Sequence, residues 1–346
     1  MPVGTGRNTA QRTTLPIGAA AISDAVSPTS TYRSRRTAWT WVRLGVGVLV
    51  LALVAAKVGA EPFIDGLRRT SPGHLAVAVA VTALTTVCCA LRWRLVAGAL
   101  GVRLSPGTAV AAVYRAQLLN ATLPGGVLGD VDRAVGHGRI NGAVSATVRS
   151  VVWERSLGQV VQLVLTVAVV LAIPSPMRPW GLAIAAVAVI ALGVLLLVSR
   201  TGSARVLRAA GDDLRSIVGT RRARIGIVLA SAAAAAGHVA VFLVAARTAG
   251  VSTTTSTMIP LAALVLLASA VPTNVAGWGP REGVAGWAFG VAGLGVGAGV
   301  TIAVVYGVMA LVATLPGALV LLAGRRTWSR PAVGTPGAVL QEVARG

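Results

Sequence analysis

Long apolar runs, separated by short basic or proline-rich segments, dominate the sequence from about residue 39 to residue 325. A run of about 20 apolar residues is long enough to cross the hydrocarbon core of a bilayer as a helix. The pattern therefore predicts an all-α polytopic membrane protein. Six full spans are predicted, at about 40–56, 73–91, 144–173, 180–198, 225–246 and 300–323.

Two further apolar segments are broken in the middle by proline, glycine and opposed charges. Proline removes a backbone donor and glycine permits unusual backbone shapes, so a helix is not expected to continue through either break. The first break, in the segment 107–143, contains Pro124, Gly125, Gly126, Asp130 and Arg133. The second break, in the segment 257–299, contains Pro272, Gly277, Gly279, Pro280, Arg281, Glu282 and Gly283.

The distribution of arginine predicts the topology, because cytoplasmic loops of membrane proteins are enriched in cations. With the N-terminus inside, the predicted outside segments 57–72, 174–179 and 249–256 hold few cations. The first broken segment then starts and ends inside, and the second starts and ends outside. Both are predicted to be re-entrant helical hairpins that enter from opposite sides, in an inverted repeat. An ordinary eight-span bundle is the alternative.

The segments on either side of the membrane domain (39–325) are polar. Residues 1–38 and 326–346 are predicted to be disordered cytoplasmic tails. A secretory signal ending at Ala60 is the alternative for the first, although the leader would be unusually long. Between two spans, 200–224 predicts either an amphipathic helix on the cytoplasmic face, with Leu207, Ala210, Leu214 and Ile217 on one side, or a solvated basic loop.

Composition agrees with a membrane protein and argues against a nucleic-acid-binding protein and a metalloprotein. Apolar residues form 55% of the 346 and the net charge is +21. The arginines lie between apolar runs without a nucleic-acid-binding motif, so we expect anionic lipid and not nucleic acid as the partner. Cys88 and Cys89 are adjacent in an apolar run, and no metal-ligand spacing is present, so we expect no metal and no cofactor.

Eight ionisable residues fall at or near hydrocarbon depth in this topology, four cations and four carboxylates. A charge at that depth is costly and should be paired or face water. One hypothesis is a network of structural ion pairs, such as Glu154–Arg155. The other is a central anion site formed by both breaks, because helix ends expose amides and arginine binds phosphate. The candidate substrate-binding residues are Pro124, Gly125, Gly126, Asp130, Arg133, Glu154, Arg155, Gly277, Gly279, Arg281 and Glu282.

Four short pieces, in order, resemble the lysylphosphatidylglycerol synthase transmembrane-region family. They are Leu91-Arg-Trp-Arg94, the run from Asn120 to Arg133, Trp153-Glu-Arg-Ser-Leu-Gly158, and Pro272 to Glu282 with its final Gly-Pro-Arg-Glu. The resemblance covers about residues 40–325 and implies a flippase-like membrane domain that moves or handles lipid. The 20 residues after Arg326 are expected to be too short for the soluble synthase domain.

These observations predict a non-enzymatic translocator of an anionic phospholipid or a polyprenyl-phosphate-linked lipid, in the cell membrane, with both termini cytoplasmic. One alternative is a membrane enzyme that acts on a lipid phosphate with Asp130, Asp132, Glu154 or Glu282 as acid–base groups. Asp130 and Asp132 are also compatible with a divalent metal. Another alternative is an accessory subunit, because glycine-rich helix faces could support a homo-oligomer or a separate synthase partner.

Overall fold

The computed structural model of the chain describes residues 68, 71–123, 126–200, 204–270 and 279–327. The predicted first span, the predicted N-terminal tail and the candidate residues Pro124, Gly125 and Gly277 lie outside these residues, as does the predicted C-terminal tail after Thr327; its first two residues continue the last helix. In the described part every regular element is an α-helix. The helices are α1 (Pro72–Ala99), α2 (Pro106–Thr122), α3 (Leu128–Ile140), α4 (Val144–Ala172), α5 (Arg178–Arg200), α6 (Ala204–Val218), α7 (Arg221–Thr248), α8 (Thr255–Ala268), α9 (Pro280–Val291), α10 (Val296–Thr314) and α11 (Pro316–Thr327).

Local sequence signals mark several helix starts. Ser71 and Ser105 each precede a proline, and each serine hydroxyl accepts a hydrogen bond from a backbone amide in the first turn. Thr254 caps α8 in the same way. Such residues satisfy amides that lack a partner within the helix, and proline at the first helical position loses no hydrogen bond.

Four described helical segments are long and apolar enough to cross a membrane: α1, α4, α7 and the segment Val296–Leu322, which joins α10 to α11. In α5 a shorter apolar stretch runs over Arg178–Ala191. The helix of the predicted second span continues past Leu91 to Ala99. Arg92 and Trp93 therefore lie inside the helix and are buried, although the Arg-Trp-Arg sequence had indicated an interfacial anchor.

The two broken segments form helix pairs. Helices α2 and α3 pack against each other, as do α8 and α9. Helix α2 has 17 residues and α8 has 14, which correspond to about 25 and 21 Å at 1.5 Å per residue. Both are shorter than the hydrocarbon core of about 30 Å. These lengths fit hairpins that turn back within the bilayer, while the six-span, inverted-repeat topology stays a prediction.

Glycine permits the tight approach within the first pair. A Cβ on Gly129 of α3 would collide with the backbone of Ala116 on α2, so only glycine fits at this crossing. Gly126, in the connection between the two helices, has a φ of 61°, a conformation that glycine adopts without strain. The sequence of this break therefore positions the start of α3 against the middle of α2.

The main apolar core lies among α7, α8, α9 and α10. Its largest fully buried side chains include Phe242, Leu261, Phe289, Ile302 and Met309. The helix α6 confirms the predicted helical alternative for 200–224. Its buried face differs in part from the prediction, because Ile217 and Asp213 are buried while Leu214 is 37% exposed.

Candidate functional site

Five helices, α1, α2, α3, α4 and α7, surround a polar cavity of about 200 Å³. All five contribute side chains, although they are far apart in sequence. Its charged lining residues are Arg92, Asp130, Arg133, Glu154 and Arg155. Its uncharged polar lining residues include Gln117, Asn120, Gln159, Gln162, Ser231 and His238. We call this the charged cavity.

Glu154 of α4 is the central acceptor of the charged cavity, and its side chain is nearly inaccessible to solvent. Arg92 of α1 donates from Nε and Nη2 to Oε1, at 3.0 and 2.5 Å. Arg133 of α3 donates from Nη2 to Oε2 at 2.6 Å. Arg92 also donates to the Ser231 hydroxyl of α7 at 3.2 Å. Glu154 therefore joins three helices through two guanidinium groups.

Asp130 is the second carboxylate, in the first turn of α3, where the positive end of the helix dipole favours a negative charge. It accepts a hydrogen bond from Arg133 Nε at 3.0 Å, and its other oxygen accepts from the Asn120 amide at 3.0 Å. Arg155 of α4 forms an ion pair with the same carboxylate. Asn120 also accepts from the Gly129 backbone amide at 2.8 Å, which fixes the amide side chain across the α2–α3 hairpin.

Glu154 and Arg155 thus take different partners, in contrast to the predicted Glu154–Arg155 pair. Consecutive residues on an α-helix point about 100° apart, so they face different neighbours. Helical geometry also directs Asp130 and Asp132 to different neighbours, and Asp132 binds Arg115 at 2.8 Å. The structure therefore does not bring the two aspartates together as a metal-binding pair. Among the described residues, no group of three or more His, Cys, Asp or Glu side chains lies together.

The charged cavity carries an excess of positive charge. Three arginines and two carboxylates line it, so the difference of three and two leaves one positive charge. The four-to-four balance predicted from sequence omitted Arg92, the partner of Glu154. In the folded protein Arg92 lies on the packed side of α1, together with the buried residues Thr82 and Thr85. The side chain of Arg155 is 39% exposed, so a cationic group also remains accessible.

Gly158 makes room for the Arg92 guanidinium. It lies one turn after Glu154 on α4, and a Cβ at this position would lie 2.8 Å from the guanidinium carbon and 2.9 Å from each terminal nitrogen. Such distances are shorter than van der Waals contact. The Glu154–Gly158 spacing in Trp153-Glu-Arg-Ser-Leu-Gly158 therefore places an acceptor and a space for the donor on the same face of the helix.

Uncharged polar groups extend the charged cavity along α4. The side-chain oxygen of Gln159 is buried and accepts no hydrogen bond within the described part of the chain. A buried acceptor without a partner costs free energy, so a donor from a ligand or from water would be stabilised there. Gln117 on α2 accepts from the Thr86 hydroxyl at 3.0 Å.

The second predicted half of the site lies elsewhere. Arg281 and Glu282, at the start of α9, form an ion pair of 2.5 Å, and the Gly279 backbone amide donates to Glu282 at 2.6 Å. These residues do not line the charged cavity. The structure therefore groups Asp130, Arg133, Glu154 and Arg155 with Gly126 nearby in the hairpin connection, and holds the Arg281–Glu282 pair apart.

In the described part of the chain, Tyr306 links the two groups. Arg281 lies over the ring of Tyr306 on α10, 5.2 Å from the ring centroid. The Tyr306 hydroxyl is 3.2 Å from Nδ1 of His238, which lines the charged cavity from α7. Sequence reasoning missed this connection, because no local pattern relates an isolated histidine to a tyrosine 68 residues later.

Comparison with known proteins identifies one match. The family model described as the lysylphosphatidylglycerol synthase TM region matches residues 40–317. This range includes the charged cavity and both helix breaks. No curated protein and no solved structure matches the chain.

Proposed function

The chain belongs to the lysylphosphatidylglycerol synthase transmembrane-region family, and we propose that it is a flippase-like translocator of an anionic lipid. The lipid is an anionic phospholipid or a polyprenyl-phosphate-linked lipid, and the protein moves it without chemical change. The protein lies in the cell membrane with both termini cytoplasmic. The lipid and the bilayer are the partners that this function requires.

The observation that carries the proposal is the excess positive charge of the charged cavity. An unbalanced charge among membrane-buried helices is costly, and an anion would remove that imbalance. Arg92, Arg133 and Arg155 present planar donors of the kind that bind phosphate oxygens. A lipid phosphate is the anion that a membrane supplies.

The arrangement of carboxylates supports binding over catalysis. Both oxygens of Glu154 accept from guanidinium groups, and both oxygens of Asp130 accept from guanidinium or amide groups. A general acid or base needs an oxygen within reach of the proton that it transfers. Here the oxygens are already engaged, so the carboxylates hold the arginines in place and the arginines hold the anion.

The experiment is reconstitution of the purified protein into vesicles with fluorescent phosphatidylglycerol. The change in leaflet distribution over time measures translocation, and mass spectrometry of the recovered lipid detects chemical change. We expect movement of intact lipid, and a strong reduction for Arg133→Gln. Arg215→Gln is the matched control, since Arg215 lies exposed on α6 and pairs with exposed Asp212.

The same assay separates the alternatives. A modified lipid product would support the membrane enzyme. Folded wild-type protein that neither moves nor alters lipid would contradict translocation and favour the accessory-subunit hypothesis. Equal movement by wild type and Arg133→Gln would show that the charged cavity is not the route.

A further inference from the structure

A second cavity, of about 430 Å³, adjoins the charged cavity. It lies among α4, α7 and α8, and we call it the apolar groove. Most of its lining residues are aliphatic, and they include Leu165, Val169, Leu243, Ile259 and Leu266. Gln162 and Ala235 line both cavities, so the two lie directly side by side.

One face of α4 passes from charged to apolar along the two adjoining cavities. Residues three and four apart share a helix face. Glu154 and Gly158 lie in the charged cavity, Gln162 lies at the junction, and Leu165 and Val169 lie in the apolar groove. From Glu154 to Val169 the axial distance is about 22 Å at 1.5 Å per residue. The polarity of this face matches that of a molecule with a charged head and a hydrocarbon chain.

The sequence of α7 creates the space opposite. Four alanines of α7 line the apolar groove, where larger side chains would fill it: Ala232, Ala235, Ala236 and Ala240. Ala236 and Ala240 are exposed, so the groove opens at the surface of the helix bundle. A chain can therefore enter the groove sideways from the bilayer.

We propose that the charged cavity and the apolar groove form one site for a single lipid, with a hydrocarbon chain of that lipid in the groove. The inference rests on the proposed function and deepens it, because it makes the hydrocarbon chain part of the recognised structure. A free phosphate or a water-soluble anion would occupy only the charged cavity. The site thus recognises a charge and a chain that are covalently joined.

The site also orients the lipid. Helix α4 begins on the cytoplasmic side in the proposed topology, and the charged cavity lies nearer to its start than the apolar groove does. The headgroup therefore lies toward the cytoplasm and the chain toward the outer leaflet. A lipid of the inner leaflet has this orientation, so the site receives lipid from the cytoplasmic leaflet.

The test measures separately how much the hydrocarbon chain and the headgroup contribute to binding. Binding of two probes to the purified protein in detergent micelles is measured: long-chain phosphatidylglycerol and its water-soluble headgroup fragment, glycerophosphoglycerol. The variant is Ala236→Leu, which fills the apolar groove and leaves the charged cavity untouched. The control is Ala186→Leu, the same change at an exposed position of α5 that lines neither cavity.

We expect Ala236→Leu to weaken binding of the long-chain lipid about tenfold, equivalent to about 1.4 kcal/mol. Binding of the headgroup fragment should stay within twofold of wild type, and the control should change neither. Two results would overturn the inference: unchanged lipid binding in the variant, or equal weakening of the lipid and the fragment.

The proposed function can fail separately. If the lipid binds as expected but does not cross the bilayer of reconstituted vesicles, translocation is refuted. The inference that the charged cavity and the apolar groove form one lipid site is then still supported. If wild type and Ala236→Leu both translocate and bind lipid equally well, the function stands and the groove is only a surface in contact with bulk lipid.

Discussion

The Tyr306 hydroxyl lies 3.2 Å from Nδ1 of His238, and this contact joins the charged cavity to the second helix break. His238 lines the charged cavity. The ring of Tyr306 lies beneath Arg281, which belongs to the second helix break. Tyr306 therefore makes two separable contacts, a hydrogen bond through its hydroxyl and a cation–π contact through its ring. Tyr306→Phe removes the hydrogen bond alone, and Tyr306→Ala removes both contacts.

Tyr306→Phe removes the hydroxyl and keeps the ring. We expect a loss of about 0.5–1.5 kcal/mol in the free energy of unfolding, the usual net value of one hydrogen bond. Lipid translocation should slow, because the His238 ring loses the contact that orients it at the cavity wall. Tyr306→Ala should be worse in both respects, since Arg281 then loses the ring as well. Translocation in vesicles and thermal unfolding in detergent measure the two effects.

Tyr114→Phe on α2 is the matched control, because it removes a phenol hydroxyl from a side chain that is only partly buried and does not line the charged cavity. It should leave translocation unchanged. If Tyr306→Phe behaves like this control while Tyr306→Ala abolishes function, the ring contact matters and the link to His238 does not.

Hydropathy predicted the helical membrane architecture because burial in lipid depends on local composition. The apolar run 144–173 corresponds closely to α4, since every backbone group in a span is satisfied within its own helix. The position of a charged residue could not be derived in the same way. Arg92 follows an apolar run and precedes Trp93, a pattern also found at membrane interfaces, and only packing against α4 and α7 buries it.

Pairing of the charges was less predictable still. The candidate residues Asp130, Arg133, Glu154 and Arg155 do lie together, because two helix faces meet across α3 and α4. Which arginine binds which carboxylate depends on the relative rotation of those helices, and that information is distributed over the whole interface. The separation of Arg281 and Glu282 from this group has the same origin.

Substitutions of Arg92 and Glu154 distinguish a binding site from a structural ion pair. Glu154→Gln removes the negative charge that two buried guanidinium groups share and replaces one acceptor oxygen by a donor, so it should destabilise the fold by about 3–5 kcal/mol. Arg92→Gln leaves the Arg133–Glu154 pair intact and lowers the net cavity charge from one to zero. It should be less destabilising and should greatly weaken binding of phosphatidylglycerol.

The double variant provides the decisive comparison. Arg92→Gln with Glu154→Gln restores the excess of one positive charge, because Arg133 and Arg155 then face Asp130 alone. We expect recovery of much of the stability lost in Glu154→Gln, measured by thermal unfolding. If Arg92→Gln destabilises as much as Glu154→Gln and leaves lipid binding unchanged, the network is purely structural.

Gly158→Ala tests the space that α4 provides for Arg92. Alanine favours a helix by up to about 1 kcal/mol over glycine, so the change should not harm α4 itself. Its methyl group would displace the Arg92 guanidinium from Glu154, and binding of phosphatidylglycerol should fall. Gly98→Ala is the control, because a Cβ there meets no atom within 4 Å. Equal binding by both variants would show that Arg92 can shift without consequence.

Helix α6 is fixed to α4 by Asp213, which accepts hydrogen bonds from Arg149 Nη1 at 2.9 Å and from Trp153 Nε1 at 3.2 Å. Asp213 is buried, so Asp213→Ala leaves two donors without their acceptor and should release α6 from the bundle. Trypsin should then cut after Arg208 or Arg215 faster than in wild type, as followed by gel electrophoresis of the folded protein.

The neighbouring carboxylate is a close control for this experiment. Asp212 lies one residue earlier and pairs with Arg215 at 2.8 Å, but both side chains are largely exposed. Exposed ion pairs contribute about 0–1 kcal/mol, so Asp212→Ala should leave the rate of cleavage after Arg208 near the wild-type value. Faster cleavage in Asp213→Ala alone would assign the attachment of α6 to the buried contact. Equal acceleration in both variants would mean that the negative charge of α6, and not the contact with Arg149 and Trp153, holds the helix in place.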